Sequence, residues 1–401
     1  MRKLHENLAR AATSVLESVL LRQQRASRTL AKTVQLHPKW GSRDRKVLYT
    51  IVYDILRWKR YYAYLLDPKD ENPTIEKLLG CWCVLKDFVW DQANTTDGKK
   101  KLSLHQSTSL PIAVKASFPD WLFKLGNSEI PSEWEKEFPA MNSQAGIALR
   151  INRIRGHPIK VQALLKDQYH IPSEYQNEYP DALLLTQGRK LEKNPLFLKG
   201  FFEIQDIHSQ KIAPFTQAQP NDCVIDLCAG AGGKSLHLAA RMRNQGVIRA
   251  YDVDPNKLKE LVKRAKRAGA TLIKTHCIHS NTDLTANDAW ADVVLIDAPC
   301  SGLGTLKRNP EIKWRLTPAH LQKLLHTQAM LLDQAAGWVK PNGRLVYATC
   351  SVLPSENKQQ IAQFLQRHPE FQLEIDQTYF CHQSDFDGFY MARLQKKHNC
   401  E

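Results

Sequence analysis

The sequence predicts an α/β protein: a doubly wound, Rossmann-like parallel sheet preceded by a small α+β module and an all-α N-terminal domain. From residue 221 onwards, short apolar runs alternate with helical patterns, which is typical of a doubly wound sheet. Residues 5–66 instead repeat apolar positions at three-and-four spacing, which indicates helices. A stretch of mixed character separates these two regions. We predict three domains: 1–138, 139–200 and 201–401.

The composition is that of a globular protein, with 43% hydrophobic and 24% charged residues among 401. No apolar run is long enough to cross a membrane, and the first residues lack the apolar core of a signal peptide. We therefore expect a soluble, cytoplasmic protein, and nothing demands more than a monomer. Nine cysteines without a CxxC motif disfavour a zinc ribbon or a disulfide scaffold, so no metal is expected.

The positive charge is concentrated near the N-terminus. The formal net charge is +15, and residues 1–66 hold 14 lysines and arginines against 4 acids. A concentrated basic face suggests a polyanionic partner, most simply nucleic acid. The alternative is a solvated helix surface without a partner.

The helical region divides at Gly41, after which Ser42 is a plausible N-cap. Further helical patterns cover residues 75–92 and 118–138. The small module combines an alternating run at 146–152, a helical run at 161–169 and a short apolar run at 182–185.

The C-terminal half alternates strands and helices. The predicted strands are residues 224–227, 247–251, 271–278, 292–297, 345–350 and 389–394. The predicted helices cover residues 234–242, 255–268 and 318–339, and a further helix opens at residue 355.

Two of these strands end in a cysteine-containing loop. Asp297 and Cys300 follow one buried apolar run, and Cys350 follows another about fifty residues later. Ligand sites of open parallel sheets lie beyond the carboxyl ends of the strands. If the two strands are neighbours, about 4.8 Å apart, the two thiols meet at one edge of the sheet.

A glycine-rich turn follows the first strand of this half. Its residues are Cys228, Ala229, Gly230, Ala231, Gly232, Gly233 and Lys234. Glycines let a nucleoside ligand approach the backbone at the start of a helix, and the spacing is not that of a Walker A loop. Asp252 follows Gly232 by 20 residues, where an acid binds ribose hydroxyls. The pattern admits either a dinucleotide or S-adenosylmethionine.

A lone cysteine at a strand end is usually an inert buried residue. Two cysteines, both at strand ends beside a cofactor turn, favour a chemical role. Two thiols without supporting histidines would make a poor zinc site.

Several stretches, in this order, resemble the motifs of the RsmB/Nop-type RNA cytosine-C5 methyltransferases, a class I S-adenosylmethionine-dependent family. They are residues 224–234, 297–304, 308–314, 347–351, 356–357 and 387–393. Residues 141–210 resemble the RNA-recognition-like subdomain that precedes the catalytic core in that family. Residues 5–66 more loosely resemble the NusB-type helical RNA-binding domain of bacterial rRNA-modifying members, in a divergent and shortened form.

The resemblance implies a Rossmann-like methyltransferase domain that transfers a methyl group from S-adenosylmethionine to C5 of cytosine in RNA. By family position, Cys350 is the thiol that attacks C6 of the base, and Cys300 assists loss of the C5 proton and release. The turn from Cys228 to Lys234, with Asp252, would bind the methyl donor. Asp297 can hold the base edge or touch the cofactor, and the family uses the matching acid for the cofactor.

The resemblance also bears on the contacts with the adenine of the cofactor and with RNA phosphates. Family members often carry an adenine-contacting acid at the third strand end, where this chain has Ser280 and Asn281. Four cations just after the Cys300 loop are predicted to hold RNA phosphates: Lys307, Arg308, Lys313 and Arg315.

Our hypothesis is an RNA (cytosine-5-)-methyltransferase acting on rRNA, with tRNA as the alternative substrate. A non-catalytic RNA-binding assembly factor is a further alternative, although it would need neither cysteine. A DNA methyltransferase is disfavoured by the thiol after the fifth core strand. An amino-group methyltransferase would need an Asn/Asp-Pro-Pro-aromatic loop where residues 297–300 stand.

Overall fold

The computed structural model describes residues 2–70, 72–91, 110–187, 191–279 and 289–398. The chain forms two compact units. Unit 1 comprises Met1–Ser143 and Leu306–Pro318, and unit 2 comprises Gln144–Thr305 and Ala319–Glu401.

Unit 1 is mainly helical, as the apolar periodicity predicts. Its helices are α1 (Glu6–Leu20), α2 (Ala26–Leu36), α3 (Ser42–Leu66), α4 (Ile75–Leu85), α5 (Ile112–Lys115), α6 (Asp120–Glu129) and α7 (Pro131–Met141). Two short parallel strands, β1 (Arg2–Lys3) and β2 (Phe88–Val89), join its N-terminus to the end of α4. The apolar faces of α1, α3 and α4 pack into one buried core.

The segment Leu306–Pro318 also packs in unit 1, although the sequence analysis assigned it to the methyltransferase domain. It contains a four-residue helix, Ile312–Arg315. Lys313 is buried there, and its ammonium donates to Arg57 O, Ser117 O and Asn142 Oδ1 at 2.8–2.9 Å. Three acceptors satisfy the three donors of an ammonium group, so this lysine anchors the segment.

Unit 2 contains a small antiparallel sheet in the order β4-β5-β3-β6. Its strands are β3 (Ile147–Ile151), β4 (Ser173–Glu174), β5 (Ala182–Leu185) and β6 (Phe202–Ile204). The accompanying helices are α8 (Pro158–Tyr169) and α9 (Pro195–Leu198). The predicted α+β module is thus present, and Phe202–Ile204 extends it beyond residue 200.

The second sheet of unit 2 has seven strands in the order β12-β13-β11-β10-β7-β8-β9. The strands are β7 (Cys223–Asp226), β8 (Val247–Asp252), β9 (Ile273–Cys277), β10 (Ala291–Asp297), β11 (Val339–Thr349), β12 (Phe371–Tyr379) and β13 (Phe389–Lys396). The helices are α10 (Ile207–Phe215), α11 (Gly233–Arg241), α12 (Pro255–Ala268), α13 (Pro318–Ala336) and α14 (Lys358–Arg367). β7 to β11 run parallel, whereas β13 is antiparallel to β11 and β12.

The doubly wound sheet is therefore confirmed, with two local differences. β12 was not predicted, because its exposed edge residues lack the apolar run of a buried strand. The predicted helix to residue 339 ends at Ala336, since Val339 already pairs with Ala291 on β10. The domain limits proposed from the sequence stay predictions.

β10 is the centre of this sheet. Val293 to Ile296 have no exposed surface, because strands cover both edges of β10 and apolar side chains cover both faces. Among the described residues, no helix combines the length and apolar character needed to span a membrane.

Candidate active site

The glycine-rich turn leaves β7 and leads into α11. Gly230 and Gly232 have φ values of +57° and +85°, the left-handed region that favours glycine. A Cβ atom on Gly232 would lie 2.5 Å from Cγ of Leu261, so a side chain cannot fit there. The turn therefore needs glycine at both positions for its backbone conformation, and at residue 232 also for packing against Leu261.

Asp252, the last residue of β8, holds this turn in place. Its Oδ2 accepts a hydrogen bond of 2.8 Å from the Gly230 amide, and its Oδ1 accepts one of 2.8 Å from the Asp254 amide. Asp252 and the glycine turn are thus joined by a hydrogen bond, and both line the same cavity.

That cavity has a volume of about 590 Å³ and lies at the carboxyl ends of the strands. Its lining includes all but one of the predicted cofactor-binding residues: Cys228, Ala229, Gly230, Ala231, Gly233, Lys234, Asp252 and Asp297. Gly232 lies in the same turn and packs against Leu261.

The far wall of the cavity comes from α13, which the sequence did not suggest. Gln334 lines the cavity, and its buried Oε1 has no hydrogen-bond partner among the described residues. An open acceptor beside Ile278, Met330 and Leu331 suits a flat apolar ring that carries an amino group. The cavity therefore fits S-adenosylmethionine on chemical grounds.

The two cysteines meet at the edge of the sheet. β10 and β11 are parallel neighbours, and Asp297 lies opposite Ala348 in their register. Beyond this pair, the Sγ atoms of Cys300 and Cys350 lie 3.4 Å apart. The predicted meeting of the two thiols is confirmed.

Cys300 has a strongly raised pKa. Its hydrogen bond with Cys350 and its burial raise the pKa of Cys300 well above the usual range, and the nearby charges of Cys350 and Glu356 add to this. Either thiol can donate in the hydrogen bond between the two sulfur atoms, and the raised pKa makes the Cys300 thiolate a stronger base than an ordinary cysteine thiolate.

Lys234 carries positive charge into the site. Its Nζ lies 2.6 Å from Oδ2 of Asp297, at the end of β10. Burial would lower the pKa of Lys234, but the Asp297 carboxylate outweighs burial, with smaller contributions from Cys350 and Asp226, and the pKa is raised. Lys234 is thus a permanent ammonium close enough to act on Cys350.

Asp226, at the end of β7, lies beneath the turn. Burial raises the pKa of its carboxyl to about 7, although Ser235 Oγ donates a hydrogen bond of 2.6 Å to Oδ2. Its neighbour Cys228 also has a raised pKa, again through burial. Cys228 therefore contributes an uncharged thiol to the lining of the cavity.

Three charged residues that the sequence analysis missed hold the backbone of the turn in place. Arg150 on β3 donates to the Gly233 carbonyl, and Arg264 on α12 donates to the Ala231 carbonyl at 2.7 Å. Glu203 on β6 accepts a hydrogen bond of 3.0 Å from Arg264. The small sheet thereby fixes the backbone of the cofactor turn. Only the charge of these residues is visible in the sequence, since their partners are distant along the chain.

Two of the four cations predicted to hold RNA phosphates do not fit that role. Lys313 is 1% exposed and Lys307 is 3% exposed, so neither can reach a phosphate. Burial also lowers the pKa of Lys313 well below its usual range. Arg308 and Arg315 are half-buried and stay predictions. Ser280 and Asn281 lie outside the described residues.

The strand order, the glycine turn with its acid, and the cavity together define a class I S-adenosylmethionine-dependent methyltransferase. Residues 214–395 match the family described as 16S rRNA methyltransferase RsmB/F. Residues 118–192 match the ferredoxin-like domain of RsmF/B-like methyltransferases. The chain thus contains matches to both the methyltransferase domain and the ferredoxin-like domain of the RsmB/F family, and it is an S-adenosylmethionine-dependent RNA methyltransferase.

Curated relatives align along the whole chain. Ribosomal RNA small subunit methyltransferase B of Enterobacter sp. (strain 638) is 28% identical over 430 residues, covering 98% of this chain and 99% of the relative. The protein of the same name from Klebsiella pneumoniae is 27% identical over 435 residues, covering 99% and 100%.

Solved structures agree on the fold. The crystal structure of PH0851 superposes with a TM-score of 0.78 at 24% identity, covering 98% of this chain and all of that one. The structure of NSun6 from Pyrococcus horikoshii with SFG gives a TM-score of 0.65 at 19% identity, covering 71% of this chain and all of that one. A methyltransferase homologue from Pyrococcus horikoshii gives a TM-score of 0.61 at 25% identity, covering 71% and 97%.

Proposed function

We propose that this protein methylates C5 of a cytosine in small-subunit rRNA, with Cys350 as the nucleophile and Cys300 as the release residue. The observation that carries the proposal is the 3.4 Å distance between the two sulfur atoms, at a sheet edge next to the cofactor cavity. The substrate assignment rests on the relatives named ribosomal RNA small subunit methyltransferase B.

The chemistry requires a thiolate because cytosine C5 is a poor nucleophile. Addition of Cys350 to C6 forms an S–C6 bond and moves an electron pair to C5. When bound, S-adenosylmethionine supplies the methyl group as an electrophilic sulfonium. After C5 is methylated, Cys300 as a thiolate accepts the C5 proton, and the electron pair of the C5–H bond restores the C5–C6 double bond. The S–C6 bond then breaks, and Cys350 leaves as a thiolate.

The electrostatics of the site support this division of labour. The raised pKa of Cys300 suits its thiolate to removal of the C5 proton, and the sulfur of Cys350 carries the negative charge when it attacks C6. Lys234 provides the compensating positive charge, and Asp297 holds Lys234 in place at the cavity. The glycine turn from Cys228 to Lys234, with Asp252, is proposed to bind the methyl donor.

Unit 1 is proposed to bind RNA. It contains a cavity of about 880 Å³ whose lining is rich in basic side chains: Arg2, Lys3, His5, Arg43, Lys46 and Lys86. Among the residues that the structure describes, the acids in that lining are Asp44 and Asp54. A basic groove of this size suits the phosphate backbone of structured RNA. We expect the protein to act in the cytoplasm and as a monomer.

The direct test uses small-subunit rRNA that carries tritium at C5 of cytidine. The proposal predicts that tritium reaches water in a one-to-one ratio with methyl groups transferred. Transfer without tritium release would assign methylation to another atom. Release from tRNA but not from rRNA would favour the alternative substrate.

A further inference from the structure

Glu356 lies where the two cysteine loops converge. It is the last residue of the 3₁₀ helix Pro354–Glu356, shortly after β11, and it has no exposed surface. Burying a carboxylate is costly unless hydrogen bonds compensate it, so its partners indicate what it holds.

The Glu356 carboxylate accepts four hydrogen bonds, from both loops and from α13. The Ser301 amide donates to Oε1 at 2.7 Å, and Ser301 Oγ donates to Oε2 at 2.5 Å. Ser351 Oγ also donates to Oε2 at 2.5 Å. Gln328 Nε2 donates to Oε1 at 3.1 Å and also to Pro299 O at 2.9 Å.

Each of these serines directly follows a cysteine of the site. Ser301 follows Cys300, and Ser351 follows Cys350. The regular pairing of β10 with β11 ends earlier, before either cysteine. A further link between the loops is the hydrogen bond of 2.9 Å from the Gly304 amide to the Cys350 carbonyl. The positions of the two sulfur atoms therefore depend on contacts between loops, and Glu356 accepts hydrogen bonds from both loops.

We propose that Glu356 is a positioning residue that holds the loops of Cys300 and Cys350 at their reactive spacing. The inference rests on the proposed function, in which both thiols act on the same base. Glu356 itself contacts the loops and does not line the cofactor cavity.

Its negative charge has a second effect, on Cys300. Titratable groups that face Cys300 are Cys350, Glu356 and Tyr347, and Lys234 acts on Cys350. The charge of Glu356 adds to the hydrogen bond with Cys350 and to burial in raising the pKa of Cys300. Removing that charge should make Cys300 ionise at lower pH.

The variant Glu356→Gln separates positioning from general stability. A glutamine oxygen can still accept from the Ser301 amide and Gln328, but its amide group cannot accept from the serine hydroxyls. We expect kcat to fall about 100-fold, as for a small misplacement of reacting groups, with KM for S-adenosylmethionine and for RNA unchanged. Glu374→Gln on β12 is the control, and we expect it to change neither constant.

The second readout is alkylation of the cysteines by iodoacetamide as a function of pH, followed by peptide mass spectrometry. Glu356→Gln should shift the alkylation profile of Cys300 to lower pH, which a merely structural residue would not do. This assay needs no RNA. Absence of tritium release from the wild type would contradict the proposed function, while the alkylation profile would still test the positioning role.

Ser301→Ala and Ser351→Ala test the same positioning role if Glu356→Gln fails to fold. Each should lower kcat, and the double variant should lose less than the product of the single losses, because both serines act through one carboxylate. Unchanged kcat together with an unchanged alkylation profile overturns the proposal. A raised KM for S-adenosylmethionine at constant kcat also overturns it, since it would place Glu356 in cofactor binding.

Discussion

Arg150 and Glu203 lie opposite each other on β3 and β6, and both support the cofactor turn. Arg150 reaches the turn directly at the Gly233 carbonyl. Glu203 acts through Arg264, which donates to the Ala231 carbonyl. One cross-strand pair of the small sheet thus fixes two carbonyls of the turn that we propose to bind the cofactor.

Glu203→Gln should weaken binding of S-adenosylmethionine. The side chain of Glu203 is 7% exposed and pairs with Arg264 and Arg267, so loss of its charge leaves two cations poorly compensated. We expect the free energy of unfolding to fall by roughly 3 kcal/mol. Isothermal titration calorimetry with S-adenosylmethionine should show a Kd raised about tenfold, a loss of roughly 1.4 kcal/mol.

Asp333→Asn is the matched control for that experiment. Asp333 pairs with Arg367 at 2.9 Å, but its side chain is 41% exposed. Exposed ion pairs contribute only about 0.2–1 kcal/mol. Equal losses of cofactor affinity in both variants would contradict a specific role for Glu203.

The two cysteine variants should behave differently with RNA. Cys300→Ala should trap a covalent protein–RNA adduct, because the S–C6 bond forms but release is impaired. Cys350→Ala should abolish both the adduct and methyl transfer. The measurement is a denaturing gel of protein incubated with labelled RNA and S-adenosylmethionine. An adduct that survives in Cys350→Ala would assign the nucleophile to another residue.

Asp226 should make stability depend on pH. Its pKa is raised by burial from an ordinary value of 3.8 to about 7 in the folded protein. A raised pKa means that the folded state binds the proton more tightly. The stabilisation is therefore fully present below pH 3.8 and is lost as pH rises through 7.

Asp226→Asn should remove that dependence, because asparagine resembles the protonated acid. Urea unfolding between pH 4 and 8 measures it. We expect the difference in unfolding free energy between variant and wild type to move in favour of the variant as pH rises. A difference that stays constant across this range would show that Asp226 is already ionised in the folded protein.

The basic cavity of unit 1 should contribute to RNA affinity through charge alone. Arg43→Ala and Lys46→Ala should each reduce the slope of log K against log salt by about one unit, with little change in preference among RNA sequences. Fluorescence anisotropy at several salt concentrations measures the slope. Lys124→Ala, an exposed lysine on α6 outside this cavity, should leave it unchanged.

Local patterns predicted the framework of the site well. The apolar run before Asp297 and the run before Cys350 each indicate a buried strand, and neighbouring parallel strands bring their ends together. The pairing of the glycine turn with Asp252 was predicted from the spacing of 20 residues between Gly232 and Asp252. These features depend on nearby sequence, so the sequence is sufficient to predict them.

Contacts between distant residues could not be predicted in the same way. Lys313 was expected at an RNA phosphate, but three acceptors from other parts of unit 1 bury it. The sequence shows its charge and not its partners. Glu356 and Gln328 are similar cases, since Glu356 accepts from Ser301, 55 residues away, and Gln328 donates to Pro299, 29 residues away.

We propose that this protein places a methyl group on C5 of one rRNA cytosine. Bisulfite sequencing of total RNA, from cells with and without the protein, is the decisive measurement. We expect one protected cytosine in small-subunit rRNA to become convertible without the protein. The wild type should restore protection, and Cys350→Ala should not. No change at any rRNA cytosine would contradict the proposed function, and a change confined to tRNA would reassign the substrate.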